Sequence, residues 1–297
     1  MYLFIVNSES GNKSALASWH EIKKRLIKQQ IQYNFIISGS QHETQKVISE
    51  KKDTLKAVGI IGGDGTINSV IQELAETNIP IAIFPTGSGN DTARMFHLTD
   101  NPKVFVQKIV EGETISIDLI KINGKYGITV AGTGLDAAIG NRVNQSFYKP
   151  LFNRLGIGSF SYILATIHTL LTFKPFSGKL TIDGQVVQLT NAWLIACGNT
   201  SSYGGGLKIC PQAQPADGVL NITHLHEAKR LHVLFRLFPL LLRGRPVTKE
   251  GVFYNVGKEI LIETDRPILA TMDGEITMST PLRLSISEKS LRILLTT

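Results

Sequence analysis

The fold class is decided by one stretch of the chain, Val58-Gly59-Ile60-Ile61-Gly62-Gly63-Asp64-Gly65-Thr66-Ile67-Asn68. An apolar run of strand length leads into a cluster of glycines, and apolar residues at helical spacing follow it. Glycines let the backbone approach an anion closely, and the start of a helix offers free N–H groups and positive potential. The stretch therefore predicts a buried strand, a phosphate-binding loop and a helix.

Asp64 stands inside this anion-attracting loop. A carboxylate beside phosphates is unfavourable unless a cation intervenes, so the loop also predicts Mg²⁺. Thr66 can cap the helix or bind a phosphate oxygen. The structural alternative is a tight strand–helix turn with Asp64 as its cap, but three glycines around one aspartate exceed what a turn needs.

Two further loops repeat this pattern after apolar strands. Pro85-Thr86-Gly87-Ser88-Gly89-Asn90-Asp91 follows the run 80–84, and Asn7-Ser8-Glu9-Ser10-Gly11-Asn12-Lys13 follows the first strand. In an open parallel sheet, ligands bind beyond the carboxyl ends of the strands. The three loops can therefore converge on one nucleotide, although the first could also be an ordinary connection. Neither a Walker A motif nor an early GxGxxG is present.

The order of elements predicts two architectures in one chain. Up to residue 115, continuous apolar strands alternate with helices, which indicates a parallel sheet covered on both faces. From residue 114 onward, short strands dominate, and Asn123-Gly124 and Asp183-Gly184 suit tight hairpin turns. Two apolar stretches, 160–173 and 231–242, read as helices too short to span a bilayer. We expect an α/β domain and a β-rich, antiparallel, sandwich-like domain.

Charge and cysteine content narrow the class of protein. The net charge is +7, and all of this excess lies in residues 116–297, which favours an anionic partner or a solvated basic surface. The two cysteines form no metal-binding or disulfide pattern, and the N-terminus lacks the features of a signal peptide. We therefore expect a cytoplasmic protein. The basic residues are scattered and no nucleic-acid-binding motif is present, so nucleic acid is not an expected partner.

The three loops, in this order, resemble the catalytic domain of the diacylglycerol kinase family, and most of all its small soluble bacterial lipid kinases. The resemblance covers nearly the full chain. It implies two domains with the active site in the cleft between them. Residues 1–115 plus about 286–297 would form the nucleotide-binding domain, and residues 116–285 the β-rich domain for substrate and metal.

The resemblance also implies site residues for ATP and Mg²⁺. ATP would be held by residues of the three loops and by a hydroxyl after the second strand, Ser38 or Ser40; the loop candidates are Asn7, Ser10, Gly11, Gly62, Gly63, Asp64, Gly65, Thr66, Asn68, Gly87, Ser88, Asn90 and Asp91. Mg²⁺ would be bound by the side chain of Asp217, with backbone oxygens near Gln214 and Val219. From the residues alone, Asp217-Gly218 would read only as a hairpin turn.

Met272-Asp273-Gly274-Glu275 allows two interpretations from the residues alone: acid–base chemistry by two carboxylates, or a type I′ turn. The resemblance favours the first. It implies that Glu275 accepts the proton of a lipid hydroxyl and that Asp273 supports it or ligates metal.

The expected function is transfer of the γ-phosphate of Mg·ATP to a lipid hydroxyl, most plausibly that of a diacylglycerol. An NAD kinase or another soluble-substrate kinase is the alternative enzyme, and a catalytically silent nucleotide-binding regulator is the alternative outside enzymes. The lipid would be met at an anionic membrane surface through peripheral association. Residues 229–245 and 147–154 combine basic and apolar side chains, although Pro239 argues for a broken core helix in the first. A homodimer is one oligomeric state that we consider.

Overall fold

The computed structural model of the chain describes residues 1–145, 158–243 and 250–296. The basic and apolar segment 147–154 therefore lies outside the described residues.

Four parallel strands open the chain, in the spatial order β2-β1-β3-β4. They are β1 (Tyr2–Val6), β2 (Tyr33–Ile37), β3 (Ala57–Gly62) and β4 (Ile81–Pro85). The helices between and after them are α1 (Ser14–Lys28), α2 (Gln41–Lys51), α3 (Asp64–Leu74), α4 (Asp91–Met95) and α5 (Pro102–Glu111), with 3₁₀ turns at Ser10–Lys13 and Lys52–Thr54.

Side chains alternate across this sheet, so one strand feeds two cores. Leu3 and Ile5 face a core closed by Ile48 of α2 and by the apolar side of α3. Phe4 and Val6 face the opposite core, which α1 and α5 close with Trp19, Ile22, Leu26, Phe105, Val106 and Ile109. Burial on both faces explains the continuous apolar runs in these strands.

The rest of the chain is mainly antiparallel. Its strands are β5 (Thr114–Ile122), β6 (Lys125–Gly127), β7 (Val130–Gly134), β8 (Phe176–Ile182), β9 (Gln185–Ala192), β10 (Leu194–Gly198), β11 (Leu220–Leu225), β12 (Val252–Gly257), β13 (Glu259–Thr264), β14 (Leu269–Met272), β15 (Glu275–Ser279) and β16 (Leu282–Leu294). Its helices are α6 (Leu135–Gln145), α7 (Gly158–Thr172), α8 (Arg230–His232) and α9 (Phe238–Leu242), with a π-helical turn at Val233–Leu237.

Two sheets organise the described strands. The larger sheet continues from β4 through β16, β13, β8 and β9, and β5 and β6 join it at β16. The smaller sheet has the order β12-β11-β10-β7-β14-β15. Ile120, Leu180 and Leu284 of the large sheet pack against Ile195 and Ile222 of the small one, which forms the core of a sandwich. The protein is thus an α/β domain joined to a β-rich, sandwich-like one, as the sequence predicts.

The chain crosses from one sheet to the other at residues 128–129. The residues from 126 to 131 are divided between the sheets, because β6 pairs with β5 in the large sheet and β7 pairs with β10 and β14 in the small one. Periodicity in the sequence cannot show such a change of partner.

The last strand joins the two parts of the large sheet. Leu282–Leu294 is one strand of 13 residues, where the sequence suggests two strands. Its first half pairs with β13, its second half reaches β4 at Ile293, and a register shift after Ser287 separates its two contacts with β5. The β-rich part and the parallel part therefore share a continuous sheet.

Helices cover the outer face of the small sheet. Leu135 of α6, Leu170 of α7, and Val233 and Leu237 pack on this face. The sequence predicts that Pro239 breaks the helix, but the helical path continues through it. The π-helical turn at Val233–Leu237 leads directly into α9, and Pro239 lies in the first turn of α9, where a proline is tolerated. Among the helices of the described ranges, none combines the length and the apolar character needed to span a bilayer.

Candidate active site

Three loops meet at the carboxyl ends of β1, β3 and β4. Asn7 donates through Nδ2 to Thr66 Oγ1 at 2.9 Å, which joins the first loop to the start of α3. Thr86 Oγ1 donates to Ser10 Oγ at 2.9 Å, which joins the first loop to the third. The parallel register of the strands places these loops side by side, and their shared binding of one nucleotide stays a prediction.

Glycine is required where the loops touch backbone to backbone. A Cβ on Gly63 would lie 2.9 Å from the Cα of Gly87, and a Cβ on Gly87 would lie 2.6 Å from the Cα of Gly63. Gly11 has φ +58°, and a Cβ there would lie 2.1 Å from the carbonyl oxygen of Thr86. Side chains at these positions would force the loops apart.

A polar cavity of about 300 Å³ opens between the first loop, the segment after β2 and the start of α3. Its lining consists of polar residues and glycines, including one carboxylate, and is formed by Asn7, Glu9, Ser10, Ser38, Gly39, Ser40, Gln41, Thr44, Gly63, Gly65, Thr66 and Ser69. Its position at the amino end of α3 places it beside unpaired helix N–H groups and positive potential. This arrangement suits a polyanionic ligand.

Ser38 and Ser40 both line the cavity but differ in their contacts. Ser38 is buried, donates to the Ser40 carbonyl at 2.9 Å and accepts from Thr44 Oγ1 at 2.9 Å. Ser40 is exposed, and its hydroxyl oxygen caps α2 by accepting the Glu43 N–H at 3.2 Å. A hydroxyl proton on Ser40 can therefore be directed at a ligand more easily than one on Ser38.

Two asparagines hold the loops rather than lining the cavity. Asn90, in the left-handed region at φ 51°, accepts the Gly87 N–H at 2.9 Å and donates to the Gly87 carbonyl at 2.7 Å. Asn68 points from α3 to the β14–β15 hairpin and donates to Asp273 Oδ2 at 3.3 Å. Ser88 is exposed at the tip of its loop.

Asp64 and Asp91 bring two carboxylates together. Asp64 accepts the N–H groups of Asp91 and Thr92 at 3.1 and 3.2 Å, which caps α4 from the neighbouring loop. Burial, and then the negative charge of Asp64, raises the pKa of Asp91, although the Gly205 N–H and Arg94 oppose the shift. Both carboxylates are already engaged by protein groups, Asp91 by Arg94 at 2.8 Å and by the Gly205 N–H at 3.0 Å.

The β14–β15 hairpin carries Asp273 and Glu275. From the residues alone, this segment could be either a type I′ turn or a pair of catalytic carboxylates. Asp273 and Gly274 have φ values of 52° and 81°, as a type I′ turn requires, and Met272 pairs with Glu275 across it. The turn interpretation is therefore correct for the backbone. The side chains of Asp273 and Glu275 have different surroundings, and the turn does not exclude acid–base chemistry by either carboxylate.

Asp273 supports the crossing between the two sheets. Its carboxylate accepts the N–H groups of Ile128 and Thr129 at 2.9 and 2.7 Å, and the Thr129 hydroxyl at 2.7 Å. These N–H groups belong to residues that have just left one sheet and not yet entered the other. Burial raises the pKa of Asp273, while the same hydrogen bonds lower it. With Asn68 as a fourth donor, both oxygens are engaged by protein groups.

Glu275 faces the start of α3. Its Oε1 lies 3.5 Å from the position that a Cβ on Gly65 would take, and its side chain is exposed. The hairpin thus places a carboxylate from the β-rich part of the chain at the loop that lines the polar cavity. A substrate hydroxyl entering between the two would meet a proton acceptor on one side and the anion-binding loop on the other.

The segment around Asp217, which the resemblance implies binds metal, is held against β5. Asp217 is exposed and accepts the Val219 N–H at 3.2 Å, and Gln214 is exposed as well. The Gly218 N–H donates to the buried Asp118 of β5 at 2.7 Å. In the part of the chain that the structure describes, no group of three or more His, Cys, Asp or Glu side chains is placed to hold a metal ion. One carboxylate with backbone carbonyl oxygens remains a donor set suited to Mg²⁺.

Sequence reasoning missed a second polar cluster next to the loops. Asp136 of α6 accepts a hydrogen bond from the Tyr203 hydroxyl at 3.4 Å, and burial raises the pKa of Asp136 to about 6. Gly205, two residues beyond Tyr203, donates to Asp91. Gly134-Leu135-Asp136 at a strand–helix junction was a signal available in the sequence. Nothing in the sequence showed that Tyr203 and Gly205 lie beside it.

Two family descriptions together cover most of the chain. Residues 1–122 match the Diacylglycerol kinase catalytic domain, and residues 129–295 match the YegS C-terminal NAD kinase beta sandwich-like domain. With the loops and the fold described above, these matches define the class: the chain belongs to the diacylglycerol kinase catalytic domain family of lipid kinases, which are phosphotransferases.

Particular relatives agree with this class. A protein named Diacylglycerol kinase from Mycobacterium tuberculosis is 34% identical over 298 residues, covering 98% of this chain and 93% of the relative. The crystal structure of a diacylglycerol kinase from Bacillus anthracis has a TM-score of 0.75 at 21% identity and covers 99% of this chain and 96% of its own. Yeast NADH kinase shares the fold more distantly, with a TM-score of 0.53 at 12% identity and coverage of 99% and 82%.

Proposed function

We propose that this protein transfers the γ-phosphate of ATP to the hydroxyl of a diacylglycerol-like lipid. The observation that carries the proposal is the approach of Glu275 to Gly65, because it sets a carboxylate beside a cavity suited to phosphates. The name of the Mycobacterium tuberculosis relative supports diacylglycerol as the acceptor. In this proposal the active site lies between a nucleotide-binding domain, residues 1–115 with about 286–297, and a β-rich domain, residues 116–285.

ATP would be held mainly through backbone groups. The 62–68 loop and the start of α3 would receive its phosphates, with the Thr66 and Ser40 hydroxyls at the edge of the cavity. The first loop, with Asn7, Ser10 and Gly11, would close one side. Gly87, Ser88 and Asn90 would shape the other side, where Asn90 holds the loop.

Mg²⁺ would neutralise the phosphate charge when bound. Asp64 would hold it near the phosphates, since it is the carboxylate at the start of α3 in the 62–68 loop. Asp217, with backbone oxygens near Gln214 and Val219, is the other place at which the chain would bind Mg²⁺.

Glu275 would accept the proton of the lipid hydroxyl as the oxygen attacks the γ-phosphorus and the bond to the β-phosphate oxygen breaks. Asp273 would act as a positioning residue, because its carboxylate fixes the hairpin that carries Glu275. The enzyme would be cytoplasmic, and because the acceptor is membrane-resident it would associate with the bilayer peripherally.

Phosphorylation of diacylglycerol in mixed micelles by purified protein with radiolabelled Mg·ATP tests the proposal. Glu275→Gln should lower kcat by about 100-fold to 10,000-fold, because it removes the base while keeping the shape. Asp64→Asn should lower activity mainly by weakening use of Mg·ATP. Exposed Glu263→Gln on β13 is the matched control and should keep full activity.

Full activity of Glu275→Gln would contradict the site assignment. Phosphorylation of NAD without any lipid product would favour the alternative of an NAD kinase, whose fold is related. ATP binding without transfer to either acceptor would favour a silent regulator.

A further inference from the structure

Two neighbouring helical segments leave apolar side chains in solvent on the outside of the β-rich domain. Leu231 and Phe235 are 68% and 69% exposed, and Ile167 and Leu171 of α7 are 41% and 54% exposed. Each pair is four residues apart on a helical path, so each pair lies on one side of its segment. We call the surface formed by α7 and the 230–242 segment the outer helical face.

The 230–242 segment is apolar on two opposite sides. Val233 and Leu237 are buried against the small sheet, and Leu237, Phe238 and Leu241 also wall an apolar cavity of about 70 Å³ beneath the segment. Leu231 and Phe235 point away from this core. A helix that is apolar all round is normally buried all round. Here the sheet covers only the inner side, so the outer side is suited to a second apolar environment.

Arg230 fastens the two segments into one surface. Its guanidinium lies 5.0 Å over the Trp193 ring and donates through one nitrogen to the Leu170 carbonyl and through the other to the Phe173 carbonyl at 2.7 Å. Both carbonyls are at the carboxyl end of α7. The exposed pairs on α7 and on the 230–242 segment therefore belong to elements held rigidly side by side.

The charged side chains within the two segments have one sign. Residues 158–174 and 228–243 contain five Lys or Arg and no Asp or Glu. Four of the five, Lys174, Lys229, Arg236 and Arg243, are exposed. Exposed apolar side chains with basic ones on the same segments match the boundary between hydrocarbon and anionic head groups, where apolar groups insert and cations stay at the phosphates.

We propose that the outer helical face is the surface by which this protein docks on an anionic membrane, with Leu231 and Phe235 inserted and Arg236 and Arg243 at the head groups. The purpose of docking rests on the proposed lipid kinase function, but the surface itself is defined by exposure and charge alone. The face then sets which side of the β-rich domain meets the bilayer.

Co-sedimentation with vesicles of phosphatidylcholine, with and without phosphatidylglycerol, tests the proposal. The unaltered protein should bind the anionic vesicles, and Leu231→Glu combined with Phe235→Glu should weaken binding by at least about tenfold. Ile27→Glu is the matched control, because Ile27 is 60% exposed on α1 and receives the same new charge. It should bind nearly as well as the unaltered protein. Arg236→Glu should weaken binding only to vesicles that contain phosphatidylglycerol.

Three results would overturn the proposal: no binding of the unaltered protein to anionic vesicles, unchanged binding of the double variant, or equal loss in Ile27→Glu. Activity on a short-chain diacylglycerol dissolved as monomers distinguishes a failure of the docking proposal from a failure of the proposed function. The double variant should phosphorylate it normally, since no interface is needed. If the unaltered protein binds vesicles but phosphorylates no diacylglycerol, the docking surface stands and the proposed function fails.

Discussion

Asp136 is a carboxyl group placed where burial opposes its charge. Burial raises its pKa from 3.8 to about 6, and the Ala137 N–H, the Tyr203 hydroxyl and the N–H of Asp136 itself partly oppose the shift. Because the folded state binds the proton more tightly than the unfolded chain, this contribution to stability is fully present below pH 4. It is lost as the pH rises through 6.

Asp136→Asn removes that pH dependence, since the amide stays neutral while keeping an acceptor for Ala137. The difference in unfolding free energy between the variant and the unaltered protein should shift in favour of the variant by about 2 kcal/mol between pH 4.5 and 7.5. Urea unfolding at both pH values measures it. The exposed Asp53→Asn should show no such change, and a pH-independent difference for Asp136→Asn would contradict the assignment.

At the scale of elements, the site depends on how closely strand–helix loops approach one another. The 62–68 and 85–91 loops meet through two α-carbons, Gly63 and Gly87, with no side chain able to yield. The strands fix the spacing of the loops from below. A single methyl group at this contact must therefore move backbone.

Gly63→Ala should lower the unfolding free energy by about 1–3 kcal/mol, because its Cβ would lie 2.9 Å from the Cα of Gly87. It should also raise the KM for ATP if the loops bind phosphates as proposed. Gly39→Ala is the control: Gly39 lines the same cavity, but a Cβ there meets nothing within 4 Å, so stability should change little. Equal stability of the two variants in urea unfolding would show that the loops can separate freely.

At the scale of the whole molecule, one hairpin couples the two sheets to the parallel domain. Asp273 holds residues 128–129 where the chain changes sheets and accepts from Asn68 of α3. The same hairpin carries Glu275 to Gly65. The position of the proposed base is thus determined by contacts across both parts of the protein.

Asp273→Ala should lower the unfolding free energy by about 2–4 kcal/mol, because it leaves buried N–H groups without an acceptor. It should also lower kcat by releasing the hairpin, and amide exchange at Ile128 and Thr129 should become faster. Asp183→Ala is a matched control: Asp183 has the same place in another type I′ turn and accepts the Lys258 and Glu259 N–H groups. That variant should lose stability and keep its kcat. Equal losses of kcat in both variants would contradict a specific role of Asp273 in positioning Glu275.

Much of this protein could be predicted from local pattern. The apolar runs of β1, β3 and β4, the glycine loops after them and the change to hairpins near residue 114 follow from strand burial, backbone freedom and turn chemistry, which are properties of neighbouring residues. The loops at 62–68 and 85–91, which carry the resemblance to the family, begin at the carboxyl ends of β3 and β4 as predicted. The fold class and the positions of the glycine loops were therefore determined locally.

Contacts between distant residues could only be seen in the folded chain. The division of 126–131 between two sheets, the clamp of Asp273 on residues about 145 positions earlier, and the pairing of Asp136 with Tyr203 depend on partners far away in sequence. Exposure of Leu231 and Phe235 depends likewise on which side of their segment the sheet covers. Periodicity shows that a segment has an apolar side, but packing alone decides which side is buried and which carboxylate meets the loop.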